Sequence, residues 1–151
     1  MSANTDPGLD DGEHQALRGV AGLMIPACAA QGMPGADDDA VFADIVRSLG
    51  RDTAAVRRAL RRLDTLAGGR FGELPGAARE EAARRLREEC PPLAAVLVAV
   101  VVRCYYRDDR VIRAIGMEPR PPYPQGFEVA GGDYSLLDPV RARGPIWRKV
   151  S

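Results

Sequence analysis

An all-α fold is predicted, a single-domain bundle of five or six helices followed by an extended, Pro/Gly-rich C-terminal arm. Three observations carry that reading. Apolar residues recur at i, i+3, i+4 and i+7 through residues 13–116. Aspartates, glycines and prolines fall between the periodic stretches, where helices start and stop. Six of the twelve prolines fall in residues 117–151, which excludes long helices and a central strand there. With 151 residues, 46% of them apolar, the chain suffices for one ordinary core. The acidic segment 1–12 reads as a flexible lead, 13–116 as the bundle and 117–151 as the arm.

The first helix follows from Leu17, Val20, Ala21 and Met24, behind acidic residues that suit a helix N-terminus, and Pro26 ends it. Asp37, Asp38 and Asp39 open a second, whose face is Phe42, Ile45, Val46 and Leu49 and whose stop is Gly50. A third is capped by Asp52, turns Val56, Leu60, Leu63 and Ala67 inward, and breaks at Gly68-Gly69. Pro75 suits the first turn of a fourth, a solvated cover helix with Glu80/Arg84 and Glu81/Arg85 four residues apart. After Pro91-Pro92 comes LAAVLVAVVVRCYY, too long and uninterrupted for a strand; as a helix apolar all round it is expected at the centre of the bundle. Asp108 and Asp109 cap a short sixth helix carrying Val111, Ile112 and Ile115, closed by Gly116.

Residues 117–151 differ in kind. They read as extended and irregular, yet Tyr123, Phe127, Tyr134 and Trp147 are half of the aromatic residues in the chain, whereas unstructured linkers are poor in aromatics. Recurring aromatic anchors without periodicity suit a segment that lies on another surface.

Composition narrows function. Twenty-one basic and twenty-one acidic residues cancel, so there is no net field to attract a polyanion. Three cysteines without C-x-x-C spacing among apolar neighbours suit a reduced, cytoplasmic chain. The start shows neither a signal peptide nor a twin-arginine motif, and the longest apolar run, Leu93 to Val102, is about half of the ~20 residues a membrane span needs. His14 is the single histidine, so neither a multi-histidine metal site nor a Ser-His-Asp triad assembles readily. Cys104, beside Arg103 and Tyr105, is the least poor candidate nucleophile. The Asp37–Asp39 triplet answers to the helix dipole, since calcium loops space their ligands at alternating positions. No glycine-rich phosphate loop occurs. Catalytic, metal and cofactor residues are therefore not expected, and the chain reads as no enzyme on its own. The stripe Arg57, Arg58, Arg61 and Arg62 supports the alternative, a stand-alone helical regulator that binds nucleic acid.

The run CYYRDDRVIRAIG, leading into MEPRPPYPQGFE, is the most informative. Tyr105 and Tyr106 offer large amphipathic area, and Arg107, Arg110 and Arg113 surround a carboxylate pair at a helix start. An ordinary core corner is one account. A docking edge is the other, because tyrosine and arginine dominate interface energies. The expected contact residues are Tyr105, Tyr106, Arg110, Pro121, Pro122, Tyr123, Pro124, Phe127, Tyr134 and Trp147.

The order and spacing of Ile25-Pro26, Phe71, Leu74, Tyr105-Tyr106, Asp108, Arg110-Val111, Ile115-Gly116, Pro121, Pro124 and Gly126 resemble the gluconate 2-dehydrogenase subunit 3 family, over about residues 14 to 127. The resemblance implies a non-catalytic small subunit. Such a subunit pairs with a large FAD-dependent flavoprotein of the glucose-methanol-choline type acting on a sugar, glycoside or related alcohol, and supports its folding or flavin loading. FAD is expected in that partner and no cofactor in this chain. Exported members of the family supply a twin-arginine signal; without one here, a cytoplasmic complex is expected, with neither nucleic acid nor membrane contacted by this chain.

Overall fold

A computed structural model describes residues 8–128, 131–144 and 147. Among them the chain is all-α, with seven α-helices and no strand. The chain divides into two compact units, Met1–Pro119 and Arg120–Ser151, so the boundary falls three residues beyond the expected one. Most of the lead lies outside the described residues. Where it is described it is already turning into helix: α1 spans Asp11–Met24, and Asp10 caps it by accepting from the Glu13 amide while the Glu13 carboxylate accepts from the Asp10 amide.

The first unit continues with α2 (Asp39–Arg47), α3 (Thr53–Ala67), α4 (Gly76–Glu89), α5 (Pro91–Tyr105) and α6 (Asp109–Ala114). Asp38 caps α2 and Asp108 caps α6, each through a side-chain oxygen that accepts from amides of the first turn. Asp52 stands before α3 as expected but does not cap it. Its own backbone is already helical, with φ −84° and ψ −11°, and its carboxylate instead accepts from Arg103 at 3.1 Å. At the other end Gly68 takes φ 72°, a left-handed cap that other residues reach only with strain, and the Gly69 amide closes back on the Asp64 carbonyl.

In the core, α3 packs on α4 and α5, α2 packs on α5, and α1 packs on the turn Phe71–Glu73 as well as on α3 and α4. Leu17, Ile45, Val56, Leu60, Leu63, Phe71 and Val101 are buried there. Each such side chain contributes roughly 1.5–3 kcal/mol by leaving water. Close approach of the 71–73 turn to α1 depends on Gly72, where a Cβ would stand 2.9 Å from the Gln15 side chain and 3.2 Å from the Ala16 amide nitrogen.

Two expectations are corrected here. Helix α5 is not buried all round: Leu97, Val100, Val101, Cys104 and Tyr105 point inward, while Ala95, Val98 and Ala99 are exposed. An apolar composition permits burial on every side, but the other helices of the first unit leave part of α5 uncovered. On α4 the ion pairs differ from those expected. Arg84 pairs with Glu81 and Glu88 at 2.6 Å each, and Arg85 pairs with Glu89 at 3.1 Å, so Glu80 is left out.

In the second unit a tight turn at Tyr134–Leu137 leads into α7 (Asp138–Ala142). The arm is thus not wholly extended. Pro139 lies in the first turn of α7, where the missing amide proton costs nothing and the fixed φ favours a helix. Pro145 and Ile146 lie outside the described residues.

Candidate docking surface

The stripe Leu97, Val101, Tyr105 recurs every fourth residue on the inner side of α5. It carries Tyr105 into the core, where the side chain is 1% exposed and its hydroxyl donates to the Pro34 carbonyl at 2.9 Å. Burial pushes the Tyr105 phenol upward. Tyr105 is therefore a packing residue and presents no side-chain surface to a partner, contrary to expectation. Tyr106, one residue and about 100° further round, turns outward and stays 52% exposed, meeting the Tyr105 ring edge-on at 5.3 Å. The four-residue period could have told the two tyrosines apart.

Arg110 stays exposed but is committed by charge within its own chain. Its guanidinium donates to Asp38 Oδ1 at 2.7 Å and to Asp108 Oδ2 at 2.9 Å, tying the start of α2 to the start of α6. Hydrogen bonding from Arg110 holds both carboxyls below the usual carboxylate range, and Arg107 does the same for Asp44, which it binds at 3.1 Å while also reaching Ser48 at 2.7 Å. Both arginines act as clamps within the chain. Arg110 thus has little donor capacity left over for a partner.

Among the described residues two apolar surfaces stand out, one on each unit. On the second unit, Tyr123 is 85% exposed, Leu136 74%, Tyr134 69% and Trp147 65%, with Phe127 and Val140 also exposed. Pro121, Pro122 and Pro124 are exposed beside Tyr123. On the first unit, a groove of about 700 Å³ runs between α1, α4 and α5, floored by Leu23, Met24, Ala83, Ala94, Leu97 and Val98. A cleft of about 740 Å³ at the start of α1 is polar and mixed in sign, with Glu13 bound to Arg57 at 3.1 Å and Asp64 accepting from the Phe71 amide at 2.8 Å.

Features singled out in the sequence as chemical candidates have structural roles here. Cys104 is buried, with Sγ 3.8 Å from the Asp44 carbonyl. His14 stacks edge-on against Phe42. Within the acidic triplet Asp38 caps α2, and Asp39 pairs with Arg18. The arginine stripe is partly neutralised, because Arg57 pairs with Glu13 and Arg62 with Glu89. Among the described residues no three His, Cys, Asp or Glu side chains are placed to hold a metal ion. No helix among them is long and apolar enough to cross a membrane.

Fold and surface together define a small all-α bundle joined to a segment rich in uncovered aromatic and aliphatic side chains. Comparison with protein-family models, curated proteins and solved structures returns no match.

Proposed function

We propose that this chain is the non-catalytic small subunit of a heteromeric oxidoreductase, binding and stabilising a large FAD-dependent partner of the glucose-methanol-choline type that acts on a sugar, glycoside or related alcohol. The observation that carries the docking role is the exposure of Tyr123, Tyr134, Leu136 and Trp147 within 25 residues of chain. Large apolar side chains scattered singly over a surface are ordinary, but a segment that concentrates them without covering them is the composition of an interface. The nature of the partner rests on the resemblance of residues 14 to 127 to the subunit 3 family. In that assignment the flavin chemistry belongs to the partner, and this chain acts by binding the folded partner and not the unfolded one, which raises the folded fraction by mass action.

The test is co-expression of the large flavoprotein with and without this chain, followed by flavin absorbance of the purified soluble fraction. Omitting this chain is expected to lower the yield of flavin-loaded partner several-fold. Equal yield and equal flavin content in both preparations would refute the assignment.

A further inference from the structure

The groove between α1, α4 and α5 has a charge pattern that the docking role of the second unit does not use. Its α4 wall carries Ala77, Glu80, Ala83, Arg84 and Arg87. Arg84 is satisfied within its own chain by Glu81 and Glu88. Glu80 and Arg87 are exposed and, among the described residues, take part in no ion pair. Seven residues separate them, which places them on one face of the helix about 10 Å apart along its axis. Ala83 and Arg84 flank the midpoint, and beside them the groove is lined by the half-buried Leu23 and Ala94 and the exposed Val98, over the buried Leu97.

Opposite charges placed at the two ends of one helix face are self-complementary under a twofold rotation. If a second α4 is laid antiparallel across the first, with the twofold axis between Ala83 and Arg84, Glu80 of each copy faces Arg87 of the other, and Arg84, held by Glu81 and Glu88 of its own chain, brings no uncompensated charge to the crossing. Alanines at positions 77, 83 and 94 keep the wall and floor low enough for helices to approach at the usual 8–10 Å. Charge of one sign at both ends would have set two copies against each other; this arrangement does the reverse.

We infer that the α4–α5 face, with Glu80 and Arg87 at its ends, is an isologous interface for a second copy of this chain. The inference stands apart from the flavoprotein assignment, since it concerns the chain by itself and a different surface. Helices of 14 and 15 residues are only about 21–22 Å long. A face two helices wide is therefore at the small end of stable interfaces, and the dimer is weak and concentration-dependent.

Sedimentation equilibrium of the full chain without partner, from micromolar to sub-millimolar concentration, reads this directly. The expected result is a monomer–dimer equilibrium that Glu80→Arg or Arg87→Glu alone weakens by roughly tenfold or more, because each reversal sets like charges opposite one another. Carrying both reversals in one chain restores the dimer. Mixing the two single variants gives a heterodimer, as one copy then offers two cations and the other two anions. Helical circular dichroism of each variant confirms that these exposed substitutions leave the fold intact. A chain that stays monomeric throughout, a dimer indifferent to the single reversals, or single variants that fail to pair when mixed would each overturn the inference.

Discussion

Two adjacent tyrosines are expected to fail in different assays. Tyr105→Phe removes one hydroxyl and leaves the ring in place. The bond lost, to the Pro34 carbonyl at 2.9 Å, is a neutral one in a partly buried setting, worth about 1 kcal/mol. For a chain of 151 residues that lowers the melting temperature by roughly 2–4 °C. Tyr105→Ala also empties the space of a ring that is 1% exposed, which costs about 3–5 kcal/mol, a large part of the ~5–15 kcal/mol available to a domain. Tyr106→Ala removes a ring already 52% exposed, together with its edge contact to Tyr105, and costs about 1 kcal/mol or less. Thermal melts followed by circular dichroism give the stability of all three variants, and titration calorimetry with the proposed flavoprotein partner gives pairing. Tyr105→Phe should melt lower and pair normally; Tyr106→Ala should melt almost normally and pair about tenfold more weakly. A Tyr105→Phe chain that melts like the parent but pairs worse than Tyr106→Ala would show that Tyr105 acts at the partner surface after all.

The arm and the acid limb supply two more tests. Trp147→Ala should weaken pairing by about 2 kcal/mol, roughly thirtyfold, while the melt of the helical unit stays unchanged, because the indole is 65% exposed; a lowered melt with unchanged affinity would make it a packing residue. Asp38 and Asp108 are held below their ordinary carboxylate value by Arg110, so their contribution to stability is fully present above about pH 4, the unfolded value, and is lost as pH falls through the lower folded values. Arg110→Gln should therefore melt below the parent at pH 6, with the gap closing in acid. A gap of constant size from pH 6 to pH 2 would show that the clamp works by shape and not by charge.

Most helices were legible because burial in this chain follows period and caps. Leu17, Val20 and Ala21 mark α1, Asp38 and Asp108 open α2 and α6 as expected, and Gly68 ends α3. What failed depended on neighbours that no local pattern names. Asp52 has the right chemistry for a cap, yet Arg103, 51 residues away, takes its carboxylate. Arg84 could pair in either direction along α4, and the structure uses Glu81 and Glu88 instead of Glu80. The apolar run of α5 says how much surface wants cover, not how much the chain can supply, so the open side at Val98 and Ala99 was invisible. Of the expected contact residues, Tyr106 and the arm aromatics are exposed, Tyr105 is core, and Arg110 is committed to carboxylates of its own chain.

The placement of Trp147 has a practical optical consequence. It is the single tryptophan of the sequence and belongs to the second unit, whereas the helices of the first unit hold no indole at all. Ultraviolet emission excited at the red edge, where tyrosine no longer absorbs, therefore reports on one position of the second unit. Circular dichroism is weighted the other way, towards the long helices. A shift of that emission to shorter wavelength on mixing with a flavoprotein, or its quenching by energy transfer to a nearby isoalloxazine ring, would follow engagement of the arm in real time without any attached dye.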